Sequence, residues 1–239
     1  MIPVTDDVRS KTFPFVNVGL IVLCTIVFFY EISLSSHSLD NFLNDYAVIP
    51  SHLYSWWKSP SGLGVPKTTI TAAFLHASLL HLAGNMVFLW VFGDNVEDAL
   101  GHVKYLLFYF VSAVGAAALQ VAFDVHSTVP MLGASGAIAG VLAGYLVLYP
   151  RAHVGVVIPL LFFLGPIRIP AWVLIVLWFL LQLFTGVAEI GNTSAASGIA
   201  VWAHVGGFMT GLSIMLIARP FIPARSLSRP VTRGPVKLW

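Results

Sequence analysis

Gly133-Ala134-Ser135-Gly136-Ala137-Ile138-Ala139-Gly140, continued by Val141-Leu142-Ala143-Gly144-Tyr145-Leu146-Val147-Leu148-Tyr149, is the stretch on which the reading of this chain turns. It carries no charge. Gly136, Gly140 and Gly144 recur every fourth residue, so a helix places them on one face. In a water-exposed helix each glycine costs about 1 kcal/mol relative to alanine. In lipid the same small-xxx-small face lets two helices meet backbone to backbone. The stretch therefore reads as a membrane helix with a packing face, and Ser135 stands at its start.

Composition agrees. Of 239 residues, 58% are hydrophobic and 9% charged, with a mean hydropathy of +0.88, against about 25% charged residues in soluble domains. A net charge of +2 gives no basis for a nucleic-acid partner. Cys24 is the one cysteine, which excludes an internal disulfide.

A membrane span needs about 20 mostly apolar residues. Six stretches qualify by sequence: 13–30, 71–92, 105–123, 132–149, 170–187 and 199–218, none of them containing Asp, Glu, Lys or Arg. Residues 154–164 are apolar but too short to cross, and are expected to lie at the interface or in a partly buried loop. The expectation is thus an all-α polytopic bundle of six transmembrane helices in a lipid bilayer. Lys and Arg set its orientation. With the N-terminus inside, the cytoplasmic parts hold Arg9, Lys11, Lys104, Arg151, Arg168, Arg219, Arg225, Arg229, Arg233 and Lys237, and the outer loops hold only Lys58 and Lys67. Both termini are expected to be cytoplasmic.

Three parts follow: a polar cytoplasmic segment, 1–12, without the pattern of a cleaved leader; the six-span unit, 13–218; and a basic, Pro-rich cytoplasmic tail, 219–239, expected to be disordered. The first outer loop, about 31–70, is long; its Leu53, Tyr54, Trp56 and Trp57 suit a helix lying on the outer leaflet. Asp94, with Glu97 three residues on, has the spacing of a capping box for a short inner helix.

Under this topology the second, fourth and sixth spans run in the same direction. His76, His81, Asn85, Ser135 and His204 then fall at similar depths in the outer half of the bilayer. Polar and ionisable groups are expensive in lipid and are candidates for function there. A serine hydroxyl needs a base to act as a nucleophile. His204 is favoured over His76 and His81 because Gly206, Gly207 and Gly211 let its helix approach Gly136 and Gly140 closely. No acidic residue lies in any span, so the chemistry reads as a Ser-His dyad. His81 and Asn85, at i and i+4, share a helix face and can donate to a developing oxyanion together with the Ser135 N–H. His76 is placed one turn further out, bonded to a loop or water. The plainer alternatives are a packing face for 133–144, a satisfied buried His204, and interhelical hydrogen bonds for His81 and Asn85. A metal site is weaker still, since His76 and His81 are five apart with no carboxylate nearby.

The runs His76-Ala77-Ser78-Leu79-Leu80-His81-Leu82-Ala83-Gly84-Asn85, Gly133-Ala134-Ser135-Gly136 and Ala203-His204-Val205-Gly206-Gly207-Phe208-Met209-Thr210-Gly211 resemble those of the rhomboid family of intramembrane serine proteases, in its six-span bacterial arrangement. The resemblance covers roughly 13–218. It implies Ser135 as nucleophile, His204 as general base, and His81 and Asn85 as the oxyanion-stabilising pair. His76, Gly133, Gly136, Gly207 and Gly211 are implied in support. It also implies transmembrane protein substrates, a lateral gate formed by 170–187 and 191–200, no metal or organic cofactor, and a bacterial inner-membrane location. Some members stack an aromatic on the histidine one turn after the serine; here Ala139 stands there, so another group must orient His204. A Trp-Arg pair common in the family's first outer loop is absent, with Lys67-Thr68 near that place. The rival classes are a non-catalytic relative that binds transmembrane segments and a transporter, the latter disfavoured by the lack of a charged group at midplane.

Overall fold

The computed structural model describes residues 1–158, 165–189 and 200–223. The chain begins with strand β1 (Ile2–Asp6). Nine helices follow among the described residues: α1 (Phe15–Ser33), α2 (Ser36–Tyr46), α3 (Pro50–Lys58), α4 (Thr68–Thr71), α5 (Leu79–Leu100), α6 (His102–Phe123), α7 (Ser135–Leu148), α8 (Ala171–Glu189) and α9 (Val201–Ala218). Strands β2 (His153–Val157) and β3 (Ile167–Pro170) lie between α7 and α8. Five helices, α1, α5, α6, α8 and α9, are long and apolar enough to cross a bilayer. Their outward side chains, such as Ile26, Phe29, Leu107, Leu181 and Phe184, are exposed and apolar, as lipid requires. The chain is a multi-pass helical membrane protein.

The apolar stretch 132–149 yields a shorter helix, α7, of 14 residues. At 1.5 Å per residue that is about 21 Å, roughly 9 Å short of the hydrocarbon thickness. Non-helical chain precedes α7. Val48 and Met131 exchange both backbone hydrogen bonds, at 3.0 and 2.7 Å, and Gly133 N–H donates to the Ala72 carbonyl at 2.8 Å. Backbone groups deep in the protein are thereby satisfied without a helix. α7 is buried on almost every side, packed among α5, α6 and α9. That explains its lack of a polar face.

Three sequence expectations need correction. The fold is mostly helical but not all-α: β1 pairs antiparallel with β2, and β2 with β3, in a three-stranded sheet. Ile2 opposes Val157 and Asp6 opposes Val154. The sheet takes up residues read as an N-terminal polar segment and as part of the short apolar loop 154–164, of which 159–164 lie outside the described residues. Asp6 fixes it to the bundle, accepting from Tyr145 Oη at 2.5 Å and from Asn95 Nδ2 at 2.9 Å. Burial pushes the Asp6 carboxyl up to about 8.

Second, the helix expected from 71 starts at Leu79. Ala72–Phe74 form a 3-10 turn, and residues 75–78 are non-helical. Ser78 caps the new start, its Oγ accepting from His81 N–H at 3.1 Å. Third, Asp94 and Glu97 do not open a short helix; they lie inside continuous α5. Glu97 instead caps α1 from outside, its two oxygens accepting from Val16 N–H at 3.0 Å and Asn17 N–H at 2.7 Å. Pro14 precedes α1 with no side-chain cap of its own, so the carboxylate satisfies two of the orphan donors of that turn. The helices thus outrun the charge-free stretches, and α1 also includes the buried Glu31.

Candidate active site

Helices α5, α7 and α9 begin at one end of the bundle, where α1, α6 and α8 finish. Ser135 is the first residue of α7, and His81 and His204 lie in the first turns of α5 and α9. Ser135 Oγ lies 2.7 Å from His204 Nε2. On the other side of the ring, His204 Nδ1 lies 2.8 Å from Gln182 Oε1 of α8. An amide oxygen can only accept, so this contact is a hydrogen bond in the Nδ1–H tautomer of His204. In that tautomer the Nε2 lone pair faces the Ser135 hydroxyl, the arrangement a neutral general base needs.

The approach of α9 to α7 follows from glycine. A Cβ on Gly207 would collide with the Gly136 carbonyl, and one on Gly211 would stand 2.5 Å from Gly140 Cα. Nothing larger than hydrogen fits between these backbones. Gly206 faces the other neighbour, where a Cβ would stand 2.6 Å from the Gly115 carbonyl of α6. Gly144 departs from the expected face, meeting the side chains of Met215 and Phe108 instead of a glycine. The start of α9 is anchored by Gln120 of α6, whose Oε1 accepts from Ala203 N–H at 3.0 Å.

Gly133 brings in His81. Its φ is +124°, a conformation that favours glycine. A Cβ there would lie 2.8 Å from His81 Nε2 and 3.7 Å from Ser135 Oγ, so the His81 ring and the serine hydroxyl flank the same small space. Asn85, one turn below His81 on α5, is buried. Its Nδ2 lies 3.0 Å from His76 Nε2, and His76 Nδ1 lies 3.2 Å from the Phe74 carbonyl. A carbonyl accepts, so His76 carries its proton on Nδ1 and accepts one amide hydrogen of Asn85. The second amide hydrogen of Asn85 is not used by this bond. His76 is therefore not a helical residue facing a loop or water. It is buried in the connection before α5, its backbone N–H donating to Glu31 Oε2 at 3.1 Å.

The sequence-derived candidates meet in pairs: Ser135 with His204, Gly136 with Gly207, Gly133 with His81 and Asn85 with His76 at this end, and Gly211 with Gly140 about two turns further along α9. Sequence reasoning missed Gln182, Gln120 and Glu31. The glutamines carried a signal, being isolated polar groups in apolar helices, but no spacing linked them to His204 or α9. The expected gate segment 191–200 lies, apart from Ala200, outside the described residues.

Fold and site together define a polytopic helical membrane protein with a serine–histidine pair held below one end of its bundle. Residues 64–221 match the Rhomboid domain family model, and the chain belongs to the rhomboid family. It is 31% identical over 147 residues to Rhomboid protein 1, mitochondrial, of Saccharomyces cerevisiae, covering 60% of this chain and 39% of the yeast protein. It is 29% identical to Rhomboid protease AarA of Providencia stuartii, covering 54% of this chain and 48% of that one. Over 91 residues it is 34% identical to Rhomboid protease GluP of Bacillus subtilis, covering 38% and 15%. The chain spans less than half the length of each of these relatives.

Proposed function

We propose that this protein is an intramembrane serine endopeptidase that cleaves membrane-protein substrates in or near their transmembrane segments. The observation that carries the reading is the 2.7 Å contact of Ser135 Oγ with His204 Nε2. In the proposed topology α7 is the fourth of six crossings, both termini are cytoplasmic, and the site opens to the outer leaflet of a bacterial inner membrane. No cofactor is required.

In the reaction, His204 Nε2 takes the hydroxyl proton as Ser135 Oγ attacks the peptide carbonyl. His81, the free amide hydrogen of Asn85 and the Ser135 N–H receive the oxyanion. The Ser135 N–H is well suited, since the start of α7 leaves it without an intrahelical partner. His204 then gives its proton to the leaving amine. Water, deprotonated by the same nitrogen, hydrolyses the acyl-enzyme. A substrate helix must unwind locally to present its peptide bond, because paired backbone is the stable state in lipid.

The test is covalent labelling. A fluorophosphonate probe is expected to modify Ser135 in detergent-solubilised protein, and His204→Ala is expected to abolish that labelling. A folded wild type that the probe leaves untouched would refute the activity and favour a non-catalytic relative. Asn85→Ala is expected to lower kcat by about 10²–10³, equivalent to about 2.7–4 kcal/mol of transition-state stabilisation, with KM little changed. An unchanged kcat would make Asn85 a packing residue.

A further inference from the structure

Resting on that reading, we infer that Gln182 is the positioning residue of the site: it selects the His204 tautomer and so makes the imidazole a base toward Ser135. A histidine between two possible partners can carry its proton on either nitrogen, and only the Nδ1–H form can accept from a serine hydroxyl at Nε2. Ser135 cannot make the choice, because a hydroxyl donates or accepts equally well. The Gln182 amide can when it presents Oε1, as it does here at 2.8 Å from Nδ1, because that oxygen accepts only from a donor. Among the described residues no carboxylate bonds to His204; Glu31 reaches His76 instead.

The surroundings support a positioning role over simple solvation. Gln182 is the single amide of α8, whose other residues through 188 are apolar save Thr185, and Thr185 Oγ1 donates back to its own helix at Leu181. The Trp178 ring, one turn before Gln182, stands 5.8 Å from the His204 ring. That contact limits rotation of the imidazole ring. Phe179 stacks on Phe208 at 4.2 Å, with the ring planes 22° apart, and Gly186 lets α8 lie against Trp202. Ser135, His204 and Gln182 thus come from three helices, and the base is oriented only while α8 is seated against α9.

The test reads the tautomer directly. ¹⁵N NMR of histidine-labelled protein in micelles, with the His204 signals assigned by difference against His204→Ala, is expected to show a protonated Nδ1 and a bare Nε2. In Gln182→Leu the proton is expected to move to Nε2 in a substantial fraction of molecules. Fluorophosphonate labelling of Ser135 should slow about tenfold, the worth of one hydrogen bond, with thermal stability retained. A wild-type His204 protonated at Nε2, or a Gln182→Leu variant that keeps both tautomer and labelling rate, would overturn the inference. If Gln182→Leu does not fold, the wild-type spectrum alone decides. A wild type that shows the Nδ1–H tautomer but is never labelled strikes the proposed reaction and leaves the positioning contact standing.

Discussion

Ser135→Ala is expected to remove all measurable cleavage of a transmembrane reporter substrate while leaving the protein folded. The loss is large because Ser135 and His204 act as one unit. Without Oγ there is no atom at the end of the 2.7 Å contact to form the acyl-enzyme, and the remaining donors can only bind. In serine hydrolases, deleting the nucleophile or the base alone costs about 10⁶ in kcat, nearly as much as deleting both. His204→Ala should therefore match Ser135→Ala, and the double variant should lose nothing more. The structural cost is small. Ser135 opens α7 but does not cap it; Ala134 holds the cap position with no side-chain bond. The substitution removes one hydroxyl from a half-buried position, so the fold should lose at most about 1 kcal/mol. Cleavage assays beside thermal melts in the same detergent check both halves. Cleavage retained by Ser135→Ala would sink the mechanism.

The nearness of Ser135 to His204 was legible because glycine spacing is a backbone property. Gly136 and Gly140 on one helix, and Gly207 and Gly211 on another, specify a close approach whatever surrounds them. Apolar length located the helices for the same reason. What sequence did not reveal was where single polar groups point. Glu97 has the spacing of a local cap, yet it caps α1, about 80 positions away in the chain. Ser78 carried the true helix-start signal, but the charge-free, mostly apolar run from 71 masked the break before it. β1 and β2 are some 150 residues apart, and their pairing rests on register across the bundle, which leaves no periodic trace in either segment. His76 shows the same limit: its buried place between Asn85 and Glu31 depends on a chain break that hydropathy does not report. Gln182 was visible as an exception to its helix but not as a partner, because partnership across helices has no sequence spacing.

Gly207→Leu is expected to be the most damaging single change to the packing of the bundle. A Cβ at Gly207 meets the Gly136 backbone, with Gly136 C at 2.8 Å and Cα at 3.4 Å. Backbone cannot rotate away as a side chain can, so the two helices must separate. Overpacking against movable side chains costs about 1–3 kcal/mol; here the effect should exceed that range and join the exceptional class above about 4 kcal/mol. Separation also acts on the site. Gly207 lies less than one helical turn after His204, so any displacement there shifts the imidazole from Ser135 and from Gln182 together. Loss of fluorophosphonate labelling should therefore accompany a lower melting temperature. Gly207→Ala, carrying the Cβ alone, should show the same two effects to a smaller degree. Gly19→Ala on α1, whose added Cβ meets nothing within 4 Å, is the control and should match wild type in both measurements. If Gly207→Leu melts and labels as wild type does, α7 and α9 do not meet backbone to backbone, and the route by which His204 reaches Ser135 has to be sought elsewhere.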